Sequence, residues 1–147
     1  MAWKAENDNR TEAPVGWTTL EQSRRLESCG LDVKSADMHW EQVSDGLCEP
    51  WEWKVFCNKD VAIEQYLFSY RNGYTVPCWS TGKLFSIIRG SHRKFENALF
   101  LKDGKNVVLC FWCQAIETPE FTCTTELEAC VECVCWLLEN EFISKEK

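Results

Sequence analysis

A chain of 147 residues with 45% hydrophobic content, eight Trp and eight Phe carries enough apolar mass for one packed core, and its 27% charged residues form no long polar tract, which excludes a wholly disordered polypeptide. A net charge of −7 sets the bulk electrostatics against nucleic acid and anionic membranes. No apolar run approaches the ~18–20 residues of a membrane span and no signal-peptide pattern opens the sequence, so the expectation is a cytoplasmic protein.

Residues 1–17 are polar and read as a flexible N-terminal arm, leaving 18–147 as one α+β domain. Thr19 and Gln22 form a capping box that opens a helix, and Gly30 suits its end. Residues 35–38 read as a short helical turn and 44–50 as loop. Trp51, Trp53 and Val55 alternate with Glu52 and Lys54, which predicts a strand. Gln65–Tyr70 also reads as a strand, turning at Arg71-Asn72-Gly73 into a short extended stretch over 74–76 that Pro77 interrupts. Ser80 is a helix N-cap for a segment that Gly90 ends, and Lys102-Asp103-Gly104-Lys105 marks a hairpin between 98–101 and 106–115. Thr125 with Glu128 caps a final helix over 126–140. Together these predict about three helices on a small, mostly antiparallel sheet, with 106–115 and 51–57 as its central strands.

Ten cysteines in a chain with no export signal raise the question of metal, redox chemistry or packing. Cys110, Cys113, Cys130 and Cys133 have the C-x2-C-x16-C-x2-C spacing of a four-thiolate zinc site. Periodicity opposes that reading. On a strand, Cys110 and Cys113 would face opposite sides, ~10 Å apart along the chain. On the last helix, at ~100° per residue, Cys130 falls in the centre of the apolar face, with Cys133 and Cys135 at its borders. The thiols are therefore expected to be packing residues, and no cofactor is implied.

Other chemistry is sparse. Cys78 lies two residues before the N-cap Ser80, near a positive helix end, and is the candidate nucleophile if His39 or His92 reaches it. Asp37 with His39 reads as capping or turn chemistry. Arg89, Arg93 and Lys94 form the one basic cluster and are the candidate binding residues for a phosphate or an acidic partner, although cations at a helix C-terminus need no ligand. Residues 83–105 carry six basic against two acidic side chains, whereas 117–147 carry eight Glu against two Lys. Two solvated surfaces explain both.

Three segments carry a family resemblance: Thr19-Leu-Glu-Gln-Ser23 through Cys29-Gly-Leu31 and Ser35-Ala-Asp-Met38; Val76-Pro-Cys-Trp-Ser80 with Leu84–Ile88; and Cys133-Val-Cys-Trp-Leu-Leu-Glu-Asn140. Together they resemble small uncharacterised prophage and mobile-element proteins of gut Bacteroides-type bacteria. The resemblance spans most of 18–140 and brings no catalytic residue with it. It implies that the cysteines of 110–135 stand outside the shared pattern and that Pro77, Trp79 and Ser80 are structural: the proline ending a strand, the tryptophan filling the core and the serine capping a helix. The expected function is a non-enzymatic interaction module of a prophage or mobile element whose partner is another protein. The alternatives are a zinc- or nucleic-acid-binding accessory protein and a thiol-dependent enzyme using Cys78.

Overall fold

The computed structural model describes residues 16–44, 46, 51–111 and 119–145, apart from the side chain of Lys94. The fold is α+β, built from four α-helices and two separate three-stranded antiparallel sheets among the described residues, rather than three helices on one sheet.

Helix α1 (Leu20–Cys29) begins where the capping box puts it. The Thr19 hydroxyl accepts from the Gln22 N–H at 3.1 Å, and the Gln22 side chain accepts from the Thr19 N–H at 2.9 Å. Gly30 closes it at φ 101°, a conformation that disfavours a side chain. A 3-10 turn (Val33–Ser35) leads into the first sheet.

That sheet has the order β2-β1-β3: β1 (Met38–Val43), β2 (Glu52–Cys57) and β3 (Thr75–Cys78). The centre is β1, which carries no strand signal of its own, and β2 is an edge rather than a central strand. Register puts Trp40 beside Val55 and Val76 on one face, and His39 beside Phe56 and Pro77 on the other. Helix α1 and its entry cover the first face: the Trp40 indole N–H donates to the Thr18 carbonyl at 3.0 Å, and the Arg24 guanidinium lies 5.7 Å over the Trp53 ring. Helix α2 (Ile63–Arg71) covers the second, with Tyr66 buried and its ring 6.1 Å from His39. The strand expected at Gln65–Tyr70 is thus a helix, whose inward residues Tyr66, Leu67 and Tyr70 follow the helical period. Pro77 does not break the ladder, because β3 is an edge strand and a residue without an N–H is tolerated there.

Helix α3 (Thr81–Ser91) runs one residue past Gly90. The second sheet follows, in the order β4-β5-β6: β4 (Ala98–Asp103), β5 (Asn106–Phe111) and β6 (Phe121–Cys123). Asp103 pairs with Asn106, so the hairpin turns on Gly104-Lys105, with Gly104 at φ 64°. Strand β5 is central as expected; residues 112–115 of its predicted length lie outside the described residues.

Helix α4 (Glu126–Glu139) joins the halves. It packs on α1, α3, β5 and β6, and nine of its residues are buried. Fully burying a side chain such as Leu137 or Leu138 is worth roughly 1.5–3 kcal/mol, so α4 is the largest single contributor to the core. Phe95, Phe111, Trp136 and Phe142 close its C-terminal end, with ring centroids from 4.7 to 6.3 Å apart.

Candidate functional site

The segments named in the sequence meet at one corner. Trp79 is fully buried; its backbone N–H donates to the Thr18 hydroxyl at 3.1 Å and its indole N–H to the Ser35 hydroxyl at 2.9 Å. The Thr18 N–H donates to the Trp79 carbonyl at 2.9 Å, and its hydroxyl lies 2.7 Å from that of Ser23. The Ser80 N–H and hydroxyl both donate to the Asp37 carboxylate, at 2.9 and 2.6 Å, while the Ser80 oxygen accepts from the Lys83 N–H at 3.0 Å. Asp37 thus holds the residue that caps α3. Trp17 bridges to Ser80, so the last residues of the predicted arm are paired to the domain; residues 1–15 lie outside the described part.

Cys78 belongs to this corner. Its sulfur accepts from the Thr18 hydroxyl at 3.5 Å and its thiol donates to the Thr18 carbonyl at 3.4 Å. It has no solvent exposure, and burial pushes the thiol up to about 12. Met38 is its cross-strand neighbour, so Cys78 and His39 point to opposite faces and the structure does not bring them together. The His39 ring instead lies between the Asn58 side-chain oxygen at 2.5 Å and the Glu41 carboxylate at 3.1 Å. The Asn58 amide nitrogen is committed to the Ala36 and Met38 carbonyls at 3.0 and 3.1 Å, so His39 Nδ1 carries the hydrogen.

The zinc-spaced cysteines are dispersed. Cys110 alternates with Leu109 and Phe111, whose side chains join the core, so it projects from the other face of the second sheet. Cys130 and Cys133 are fully buried in α4; burial raises both thiols, that of Cys130 to about 12. Cys113 lies outside the described residues. Among the described residues, no three His, Cys, Asp or Glu side chains gather as metal ligands. The expectation that Cys133 and Cys135 border the core is corrected: they are 0% and 2% exposed, because α4 has neighbours on several sides rather than one.

The basic cluster is also spread out. The Arg89 Nε donates to the Glu96 carbonyl at 2.8 Å and its guanidinium lies 5.6 Å over the Phe85 ring, so Arg89 braces its own turn. Arg93 is exposed on a 3-10 turn, and the side chain of Lys94 is outside the described part.

Two features had no signal in the sequence. One is a cross-helix pair: Arg25 of α1 forms a two-pronged ion pair with Glu132 of α4 at 2.6 and 3.0 Å, and one rung further the Cys29 and Cys135 sulfurs lie 3.3 Å apart. Helical spacing puts each helix's two residues on one side, but partners 106 and 107 positions apart are invisible locally. The other is an apolar outer surface. Phe56 on β2, an edge strand among the described residues, is 41% exposed and stacks on His39 at 5.6 Å; α2, on the same face, exposes Phe68 (63%) and Ile63 (47%). A cleft of about 360 Å³ opens between α1 and α2, lined by Glu27, Asp32, Lys34, Leu67 and Tyr70, among others. In it the Tyr70 hydroxyl donates to the Glu27 carboxylate, a bond that holds the phenol up at about 12. The Tyr70–Glu27 pair is internally satisfied, and the lining presents no nucleophile with a base. No family model, curated protein or solved structure matches this chain.

Proposed function

We propose that the chain is a non-enzymatic interaction module that binds another protein, with β2 and the outer side of α2 as the docking surface. The observation that carries this reading is the free edge of β2: among the described residues it pairs only with β1. Beside it stand exposed Phe56, Ile63 and Phe68. An edge strand offers unpaired backbone donors and acceptors, and a partner strand added there gains main-chain hydrogen bonds while neighbouring apolar groups supply selectivity. The buried thiols Cys78 and Cys130 offer less, since burial keeps them protonated at neutral pH, and Arg89 of the basic cluster is committed to the Glu96 carbonyl. A role in a prophage or mobile element is part of this proposal and rests on the sequence resemblance alone.

The test is affinity capture under cross-linking from cells expressing the chain, comparing wild type with Phe56→Glu and Phe68→Glu. A partner recovered by wild type and depleted at least about tenfold by either substitution, with unchanged circular dichroism, is expected; tenfold corresponds to about 1.4 kcal/mol, within the range for losing one aromatic anchor. Identical recovery by all three proteins refutes the docking surface.

A further inference from the structure

We propose that Cys29 and Cys135 form an oxidisable dithiol, a modification site at which a peroxide converts the two thiols into a disulfide joining α1 to α4. The sulfurs already face each other at 3.3 Å, only roughly 1.3 Å beyond a disulfide bond of ~2.05 Å. The two helices run in the same sense at this contact, and the Arg25–Glu132 ion pair joins them one rung earlier, so the sulfurs need close by only about an ångström to bond.

The two thiols divide the roles. Cys29, the last residue of α1, is partly exposed and is the sulfur a peroxide reaches; Cys135 is 2% exposed and cannot meet an oxidant directly. Arg25, one turn before Cys29 on the same side of α1, places a cation beside the pair. Burial, together with the hydrogen bond to Cys29, holds the Cys135 thiol up at about 12, so it keeps its proton until its partner is oxidised.

In the first step the Cys29 thiolate attacks one peroxide oxygen, the O–O bond breaks, and protonation of the departing hydroxide gives water and a Cys29 sulfenic acid. In the second, the Cys135 sulfur attacks the Cys29 sulfur, the S–O bond breaks, and the Cys135 proton leaves with the hydroxide as a second water. The balance is two thiols and one hydrogen peroxide giving one disulfide and two waters. A thiol reductant reverses it. The other six described cysteines lack this pairing of a reachable sulfur with a sulfur neighbour: Cys57 is exposed and Cys123 partly exposed, Cys110 is buried, and Cys78, Cys130 and Cys133 are sealed from solvent.

The test uses the full chain and hydrogen peroxide. After brief treatment the protein is quenched with an alkylating agent in denaturant and mapped without reductant. The expected result is a cross-linked peptide pair containing Cys29 and Cys135, lighter by two hydrogens and reopened by dithiothreitol. Cys29→Ser abolishes the link, whereas Cys57→Ser leaves its yield unchanged. The proposal is overturned if wild type, at peroxide doses that consume Cys57, yields Cys29 and Cys135 peptides that are alkylated or singly oxidised but unlinked. It is equally overturned if Cys57→Ser abolishes the Cys29–Cys135 link. The wild-type map decides the matter without any variant, so a folding defect in Cys29→Ser leaves the proposal open to refutation.

Discussion

Replacing Asp37 with alanine isolates the bond that seats helix α3. Asp37 accepts from both the Ser80 N–H and the Ser80 hydroxyl, and hydrogen bonds to a charged group are worth about 1.5–3 kcal/mol each. The carboxylate also sits at the α3 N-terminus, where an anion gains roughly 0.3–1 kcal/mol. Allowing for partial exposure and water replacing the carboxylate, Asp37→Ala should cost about 3 kcal/mol, a large part of the ~5–15 kcal/mol that holds a domain together. At a urea slope of ~2 kcal/mol/M this moves the unfolding midpoint down by about 1.5 M. Ser80→Ala removes the hydroxyl bond to Asp37 and the cap to Lys83 but keeps the Ser80 N–H bond. The two single variants thus share one interaction, and the double variant should be more stable than their sum predicts by about 1.5 kcal/mol. Chemical denaturation of the four proteins measures this. Additivity within ~0.5 kcal/mol would mean that the hydroxyl–carboxylate bond contributes nothing and would refute the account of the corner.

Buried thiols make a prediction at alkaline pH. Cys78 and Cys130 hold their protons to about 12 when folded, whereas an unfolded cysteine releases its proton near the ordinary value of 9.0. Their contribution is therefore complete below about pH 9 and is lost as pH rises toward 12, and melting temperature should fall more steeply between pH 9 and 10.5 in wild type than in Cys78→Ala/Cys130→Ala. The Arg25–Glu132 pair acts at the other end. Its hydrogen bond lowers the Glu132 carboxyl below the ordinary 4.5, so its stabilisation is present above that value and lost as pH falls through the lowered one. Both side chains are 46% exposed, so by urea titration Glu132→Gln should cost no more than about 1 kcal/mol at pH 7, and less as pH falls below 4.5. Gly30→Ala should lose about 1–2 kcal/mol by the same assay, since φ 101° strains any side chain and a Cβ would stand 3.0 Å from Lys145 Cβ.

Elements whose signals are local were legible in the sequence. Thr19–Gln22 and Thr125–Glu128 fixed the starts of α1 and α4, and Asp103-Gly104 fixed the hairpin, because caps and turns are decided within a few residues. Helix α2 reads as a strand in sequence because Tyr66, Leu67, Phe68 and Tyr70 are strand-favouring or apolar, and exposed Ile63 and Phe68 blur the helical period. Strand β1 carries His39, Glu41 and Gln42 among its six residues, and only its pairing on both sides makes it a strand. The division into two sheets depends on partners far apart in sequence. The candidate site followed the same rule. The position of Ser80 as a cap could be read from its neighbours, but Asp37 as its anchor and Cys135 as the neighbour of Cys29 could not.

The central place of α4 bears on how the chain is made. The helix that fills the space between α1, α3 and the second sheet leaves the ribosome after all of them. Until it arrives, Leu26, Leu84, Ile88 and Leu109, all fully buried in the finished protein, lack their principal cover. At ~5–20 residues per second, the segment from α1 to α4 takes on the order of ten seconds to synthesise. Over that interval the nascent chain is a client for any factor that binds exposed apolar surface, and a slow stretch of translation just before residue 126 would lengthen its exposure.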